Sequence, residues 1–243
     1  MRRDGNRWHE ILDTAAELFA TRGYDRTTMA DIGEAVGLGK GGLYHYVRTK
    51  DDLLSDLQES ILAPLITVGR VIVSLPISAT ARLRLLSEVL LTVQFDHLHQ
   101  ARLLLAELRR LEGERQERFL ARRASYDEMF QRVIVEGISN GEFRDTDVSV
   151  ARLAFIGMHS YTSVWLDPSG PLDARTLSRS FCNIFLEGLG TAPGVHDSAK
   201  VDQEMDAQRE ELLSLLAVAS ERHGLRLGPR PTRASAKRRR GGE

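Results

Sequence analysis

Apolar residues recur at helical spacing along most of the chain. Trp8, Ile11, Leu12, Ala15, Ala16, Leu18 and Phe19 fall at i, i+3, i+4, i+7 intervals and predict one amphipathic helix, with Gly23 as its stop. Thr27 and Thr28 then precede Met29, Ile32, Ala35 and Val36, the pattern of a helix of barely two turns with a threonine cap. Gly37-Leu38-Gly39 reads as a tight turn. Lys40 to Val47 reads as a third short helix with Leu43 and Val47 facing inward. Thr49-Lys50-Asp51-Asp52 has the spacing of a capping box and leads into Leu53, Leu54 and Leu57. Further helices are predicted at about 50–74, 79–98, 100–111, 114–140, 147–166 and 173–190, with turn signals at 140–143 and 167–171. Strand-like alternation and internal repeats are absent from the sequence, so the expected fold class is all-α, and α/β enzymes are disfavoured. After Gly190 the composition changes. Residues 191–198 read as a linker, Val201 to His223 as an acidic amphipathic helix, and the stretch from Pro229 as a disordered tail with six basic residues against one acid.

Composition narrows the function. With 42% hydrophobic residues over 243 positions the chain can build a sizeable core. A formal net charge of -1 excludes a uniformly basic coat for nucleic acid but leaves room for placed contacts. The lone cysteine, Cys182, excludes an internal disulfide framework and multi-cysteine metal sites, and fits a reducing cytosol. The N-terminus has no apolar signal region. The longest apolar stretch, 61–75, is broken by Pro64, Thr67, Gly69 and Arg70, so neither export nor a membrane span is expected.

Three short helices with a glycine turn between the second and third make a helix-turn-helix. In such a unit the third helix enters the DNA major groove, and the small residues at its start, Gly39, Gly41 and Gly42, permit close approach. Residues 27–54 closely resemble the TetR family of bacterial transcriptional regulators, matching its pattern at Thr27, Thr28, Ile32, Gly37, Leu38, Gly41, Leu43, Tyr44, Tyr46, Lys50, Asp51 and Leu53. Gly33, Gly39 and Val47 depart from it. The resemblance implies an N-terminal three-helix DNA-binding domain over 1–50 and a helical-bundle effector-binding and dimerisation domain over 51–190, with 191–243 as linker, extra helix and basic tail. It implies a homodimeric repressor in the bacterial cytoplasm, at the nucleoid, that binds a palindromic operator in double-stranded DNA and is released by a small effector. The expected DNA contacts are Lys40 and Tyr44 to bases or phosphate, His45 to phosphate, and the exposed amides of Gly41 and Gly42. Thr28 and Lys50, at helix N-termini, would clamp phosphates. Arg26 and Arg48 are lesser candidates. Core packing is the alternative for both tyrosines, and it suits Tyr46 better than Tyr44.

The second half resembles the acyl-CoA-responsive branch of the family, which includes fatty-acid and steroid-catabolism repressors. The resemblance rests on the Arg/Glu-rich stretch 107–123, the turn Gly141 to Arg144, and Trp165-Leu166-Asp167-Pro168-Ser169-Gly170-Pro171-Leu172. It implies a CoA thioester effector, with a different apolar or drug-like ligand as the alternative. Leu104, Leu108, Phe130 and Phe155 would hold the acyl group. His159 and Trp165 would line the pocket, and Arg102, Arg109, Arg118 or Arg122 would meet CoA phosphates. The competing reading of the arginines is a solvated helix face. The last two helices would pair across a two-fold axis.

Other signals are weaker. Gly37, Gly39 and Gly42 satisfy G-x-G-x-x-G, but that fingerprint needs a preceding strand. His97 and His99 do not share a helix face and lack a matching ligand cluster, so no metal and no cofactor are expected. Cys182 reads as a buried apolar group. An all-helical enzyme or carrier is the least favoured alternative, because no nucleophile–base set is legible.

Overall fold

A computed structural model describes residues 5–39, 41–106, 112–189 and 198–227. Among these residues the chain is helical throughout. The helices are α1 (Gly5–Arg22), α2 (Met29–Ala35), α3 (Lys50–Val73), α4 (Ala79–Asp96), α5 (Leu98–Ala106), α6 (Gly113–Ser139), α7 (Val148–Trp165), α8 (Ala174–Leu189) and α9 (Ser198–Arg222). The expected all-α fold is what the structure shows. The expected basic tail and the linker before Ser198 lie outside the described residues.

The N-terminal head is built on one apolar cluster. Ile11, Leu12, Ala15, Ala16 and Phe19 of α1 are buried against Ile32, Leu43 and Val47. Thr28 caps α2: its hydroxyl accepts from the Asp31 amide, and the Asp31 carboxylate accepts from the Thr28 amide at 2.7 Å. That is a reciprocal capping box with Asp in place of Glu. Gly37 follows with φ +66, a conformation that glycine adopts without steric cost. The third element is shorter than the spacing predicts, only a 3-10 turn over Leu43–His45. Gly41 and Gly42 lie in the turn before it, and the Gly42 N-cap offers no side-chain hydrogen bond, so helix initiation is poor there.

The body is a bundle around α4, which touches α3, α5, α6, α7, α8 and α9. Being enclosed, α4 buries the charged residues Arg82, Arg84 and Glu88, and each finds a partner. Arg82 meets Glu136 at 2.5 Å, Arg84 meets Asn183 at 3.0 Å, and Glu88 meets Arg209 at 2.6 Å. Helix α3 starts beneath the head and continues into the body unbroken through Pro64.

Candidate DNA-binding and effector sites

The head turns its third element so that Leu43 and Val47 are buried while Tyr44 and His45 face solvent. Tyr44 is 53% exposed, a large aromatic group held outward on an otherwise well-packed unit. Tyr46 instead stacks parallel to Trp8, with ring centroids 6.4 Å apart, and is part of the core. Thr28 and Gly41 are exposed beside this surface, Gly42 is half-buried, and Arg26 and Arg48 are also exposed. Lys40 lies outside the described residues. The Thr28 hydroxyl is held by Asp31, whose carboxyl is pulled below its usual range by hydrogen bonds from the Thr28 side chain and backbone.

Lys50 is half-buried at the start of α3. Its ammonium donates to the carbonyls of Tyr24 at 2.8 Å and Thr27 at 3.1 Å and sits 4.2 Å from the Tyr24 ring centroid. It ties the loop between α1 and α2 to the start of α3, so in the DNA-free chain its ammonium is engaged by the main chain. Tyr24 completes the tie by donating its hydroxyl to Asp51.

The body holds an apolar pocket, open to solvent at its mouth, between α3, α4, α5, α6 and α7. Its lining is chiefly aliphatic, with Phe119 from α6 and Leu104 from α5. Polar groups are few: Gln94, Arg123, Tyr126, Asp127 and Ser160. Asp127 pairs with Arg152 at 2.9 Å, and Arg123 is half-buried near it. The Tyr126 hydroxyl and Gln94 Oε1 are buried and find no hydrogen-bond partner among the described residues. Burial pushes the Tyr126 phenol far above its ordinary pKa, so it is a neutral donor.

Of the expected effector residues, only Leu104 lines this cavity, and Leu108 and Arg109 lie outside the described residues. Phe130 and Phe155 are fully buried and pack ring to ring as core. His159 is also core. It contacts the Phe155 carbonyl through Nδ1 at 2.7 Å and the Ser87 hydroxyl through Nε2 at 2.6 Å. Burial holds its pKa at about 4, so the neutral ring donates to Phe155 and accepts from Ser87. This Ser–His pair has the spacing of a nucleophile and base, but both side chains are sealed in the interior. Arg102 donates to the Ser163 carbonyl at 2.8 Å, Arg122 pairs with Glu59 at 2.8 Å, and Arg118 pairs with Glu114 at 3.7 Å. Trp165 is 44% exposed and packs on Phe181. It belongs to a surface stripe with Val150, Leu153, Tyr161 and Val164 on α7, near exposed Ile184 on α8. Cys182 is buried, and burial raises its thiol to about 11, as an inert apolar group requires.

Two family models match the chain. Residues 11–57 match the bacterial regulatory proteins of the TetR family, and residues 76–189 match the tetracycline-repressor-like C-terminal domain. The transcriptional repressor KstR2 of Mycobacterium tuberculosis is 31% identical over 189 residues, which cover 76% of this chain and 94% of that protein. The chain belongs to the TetR family. This TetR-family repressor is also 25% identical over 194 residues to the fatty acid metabolism regulator protein of Bacillus subtilis, covering 78% of this chain and 98% of the relative. The solved structure of the ketosteroid transcriptional regulator KstR2 of Mycobacterium tuberculosis superposes with a TM-score of 0.73 at 28% identity, over 79% of this chain and 98% of the other. These relatives are regulators rather than enzymes. Among the described residues no group of His, Cys, Asp and Glu is arranged to hold a metal, and no helix is long and apolar enough to cross a membrane. Helix α9 lies beyond both family-model segments.

The cavity residues Arg123, Tyr126 and Gln94 were missed by sequence reasoning. A signal existed for two of them: Arg123, Tyr126 and Asp127 fall on one face of α6 by their i, i+3, i+4 spacing.

Proposed function

We propose that two copies of this repressor pair through the apolar stripe of α7 and α8 and read a palindromic operator with their two heads. In this reading Tyr44, His45, Lys40 and the Gly41 and Gly42 amides contact DNA, and Thr28 flanks them at an exposed helix start. The heads would stand about 34 Å apart, one turn of DNA, as half-sites require. The small effector binds in the α3–α7 cavity and releases the operator. The observation that carries the effector reading is the cavity itself, a largely aliphatic chamber with a guanidinium, Arg123, in its wall beside the Asp127–Arg152 pair. That chemistry suits an acyl chain carried by an anionic group, and an acyl-CoA thioester has both parts. The names of the relatives, a ketosteroid regulator and a fatty acid metabolism regulator, point to the same ligand class. A regulator of this kind works at the nucleoid, in the cytoplasm.

The test is fluorescence anisotropy on an operator that the protein itself selects from random DNA. Acyl-CoA thioesters of graded chain length should release the operator, and free CoA should not. A protein that keeps its operator throughout the panel, yet is released by an uncharged apolar ligand, would replace the thioester reading with the alternative apolar effector.

A further inference from the structure

Helix α9 and the residues after it join two parts of the molecule that are also joined through α3 and α5, with Arg115 of α6 gripping Asp52 at the start of α3. Along the body α9 follows α4 in the same direction. Glu204 accepts from Ser78 at the start of α4, Arg209 holds Glu88 in the middle, and the segment ends beside His97 just past the end of α4. Asp202 and Asp206 meet Arg84, Arg179 and Arg175 on α4 and α8. Leu212, Leu213 and Leu216 are buried on the body side. Twenty-five residues of helix span roughly 37 Å.

The segment then crosses to the head. Gly224 ends α9 with φ +85, and the Leu225 amide turns back to donate to the Ser220 carbonyl at 2.9 Å. A Cβ on Gly224 would lie 2.4 Å from Leu12 Cδ1 and 3.3 Å from Trp8 of α1, so the backbone is pressed against the head. Leu225 is fully buried. Arg226 donates to Asn6 on α1, and its backbone faces His97. The same face of α1 is held from the body by Gln100, which donates to Asp13 at 2.8 Å, and the Arg226 charge also acts on the Asp13 carboxylate.

We propose that residues 198–227 form a strap that sets the orientation of the DNA-binding head on the body. The proposal rests on the reading of paired heads on a palindrome. A dimer gains from both half-sites only when its heads stand at the operator spacing, and a head held by α3, α5 and the strap samples fewer orientations than one held by α3 and α5 alone. The strap therefore favours the DNA-competent spacing of the effector-free protein, and any head rotation on effector binding must strain or shift the Gly224–Arg226 contact.

The experiment compares affinity for the full selected operator with affinity for a single half-site. The strap variant carries Leu225→Ala and Arg226→Ala in the full-length chain. Full-operator affinity should fall at least five-fold while half-site affinity is unchanged. A second comparison guards against misfolding: a chain ending after Leu227 should keep the full-to-half ratio, and a chain ending after Arg222 should lose it. Full-to-half ratios equal to that of the unmodified protein overturn the proposal. So does a parallel loss on both DNAs, which marks a damaged head rather than a misplaced one. If the unmodified protein shows no preference for the full operator, the paired-head reading fails, and the strap proposal falls with it.

Discussion

Removing Arg209 tests how firmly α9 is anchored. Its Nε and Nη2 both lie 2.6 Å from Oε1 of Glu88, whose side chain is 5% exposed on the enclosed helix α4. Arg209→Ala deletes both donors and leaves a buried carboxylate without its partner. Breaking a buried ion pair from one side costs about 3–5 kcal/mol. Arg84 lies one helical turn before Glu88, and its positive charge offsets part of this, which places the expected loss near the lower bound, about 3 kcal/mol. For a chain of this size about 1 kcal/mol moves the melting temperature by about 2–4 °C, so a fall of about 6–12 °C is expected by circular dichroism. Adding Glu88→Gln to the variant should restore most of the loss, because the amide needs no counter-charge. The double-mutant cycle should therefore show a coupling well above about 1 kcal/mol. If Arg209→Ala changes stability by less than about 1 kcal/mol, or if Glu88→Gln on that background gives no recovery, the reasoning is refuted.

Tyr126→Phe should stabilise the effector-free protein by about 1 kcal/mol in urea denaturation, since a buried hydroxyl without a protein partner is removed, and should weaken effector binding several-fold by calorimetry. Ile184→Glu, at a position 67% exposed in the single chain, should leave the fold intact but shift sedimentation toward monomer if α7 and α8 form the dimer face. Arg115→Ala removes the pair between α6 and Asp52 at the start of α3 and should reduce the effector's ability to release DNA more than it reduces either binding affinity alone, as titrations of each ligand in the presence of the other would read. His97 and His159, both depressed to about 4 by burial, are neutral when folded but take up protons near pH 6.5 when unfolded. Stability should thus be complete above pH 6.5 and fall as pH drops toward 4, by up to about 3 kcal/mol for each histidine. Asp13 and Asp127, raised chiefly by burial, act in the opposite sense, so NMR titration of the two imidazoles is the direct check, and a midpoint near 6.5 for both would contradict it.

The head was the most legible part of the sequence because its determinants are local. The Thr28–Asp31 box, the Gly37 turn and the inward Leu43 each act within a few residues, and the motif pattern reports all of them. The intrachain contacts of Lys50 are illegible for the opposite reason. Its partners are carbonyls 26 and 23 residues earlier, and no sequence pattern distinguishes a lysine aimed at a phosphate from one folded back onto the main chain. The lining of the cavity is illegible for a similar reason. Phe130, Phe155 and His159 are inward-facing residues, as expected, but inward-facing residues either fill a core or line a void, and which they do depends on how neighbouring helices are spaced. Helix spacing is a property of the packed bundle, not of any one helix.

The same division separates the unit that reads DNA from the contacts that aim it. The motif specifies a head of nearly fixed shape. The contacts that hold that head, however, span long stretches of chain: Arg115 to Asp52 from α6, Gln100 to Asp13 from α5, and Leu225 and Arg226 from the strap. Arg115 also shares α6 with Arg123 and Tyr126, about two turns away on the cavity wall, so a ligand that displaces that wall acts on the helix that grips the base of the head. The strap runs beside α4, which forms the cavity wall at Leu90, Val93 and Gln94. Helices α3 and α5 line the ligand chamber and touch α1, and α6 lines it and grips Asp52 at the start of α3, whereas the strap lines no part of the chamber and lies beyond the segments shared with the family. On the strap proposal, the C-terminal helix aims the head through contacts that lie outside the helix-turn-helix motif.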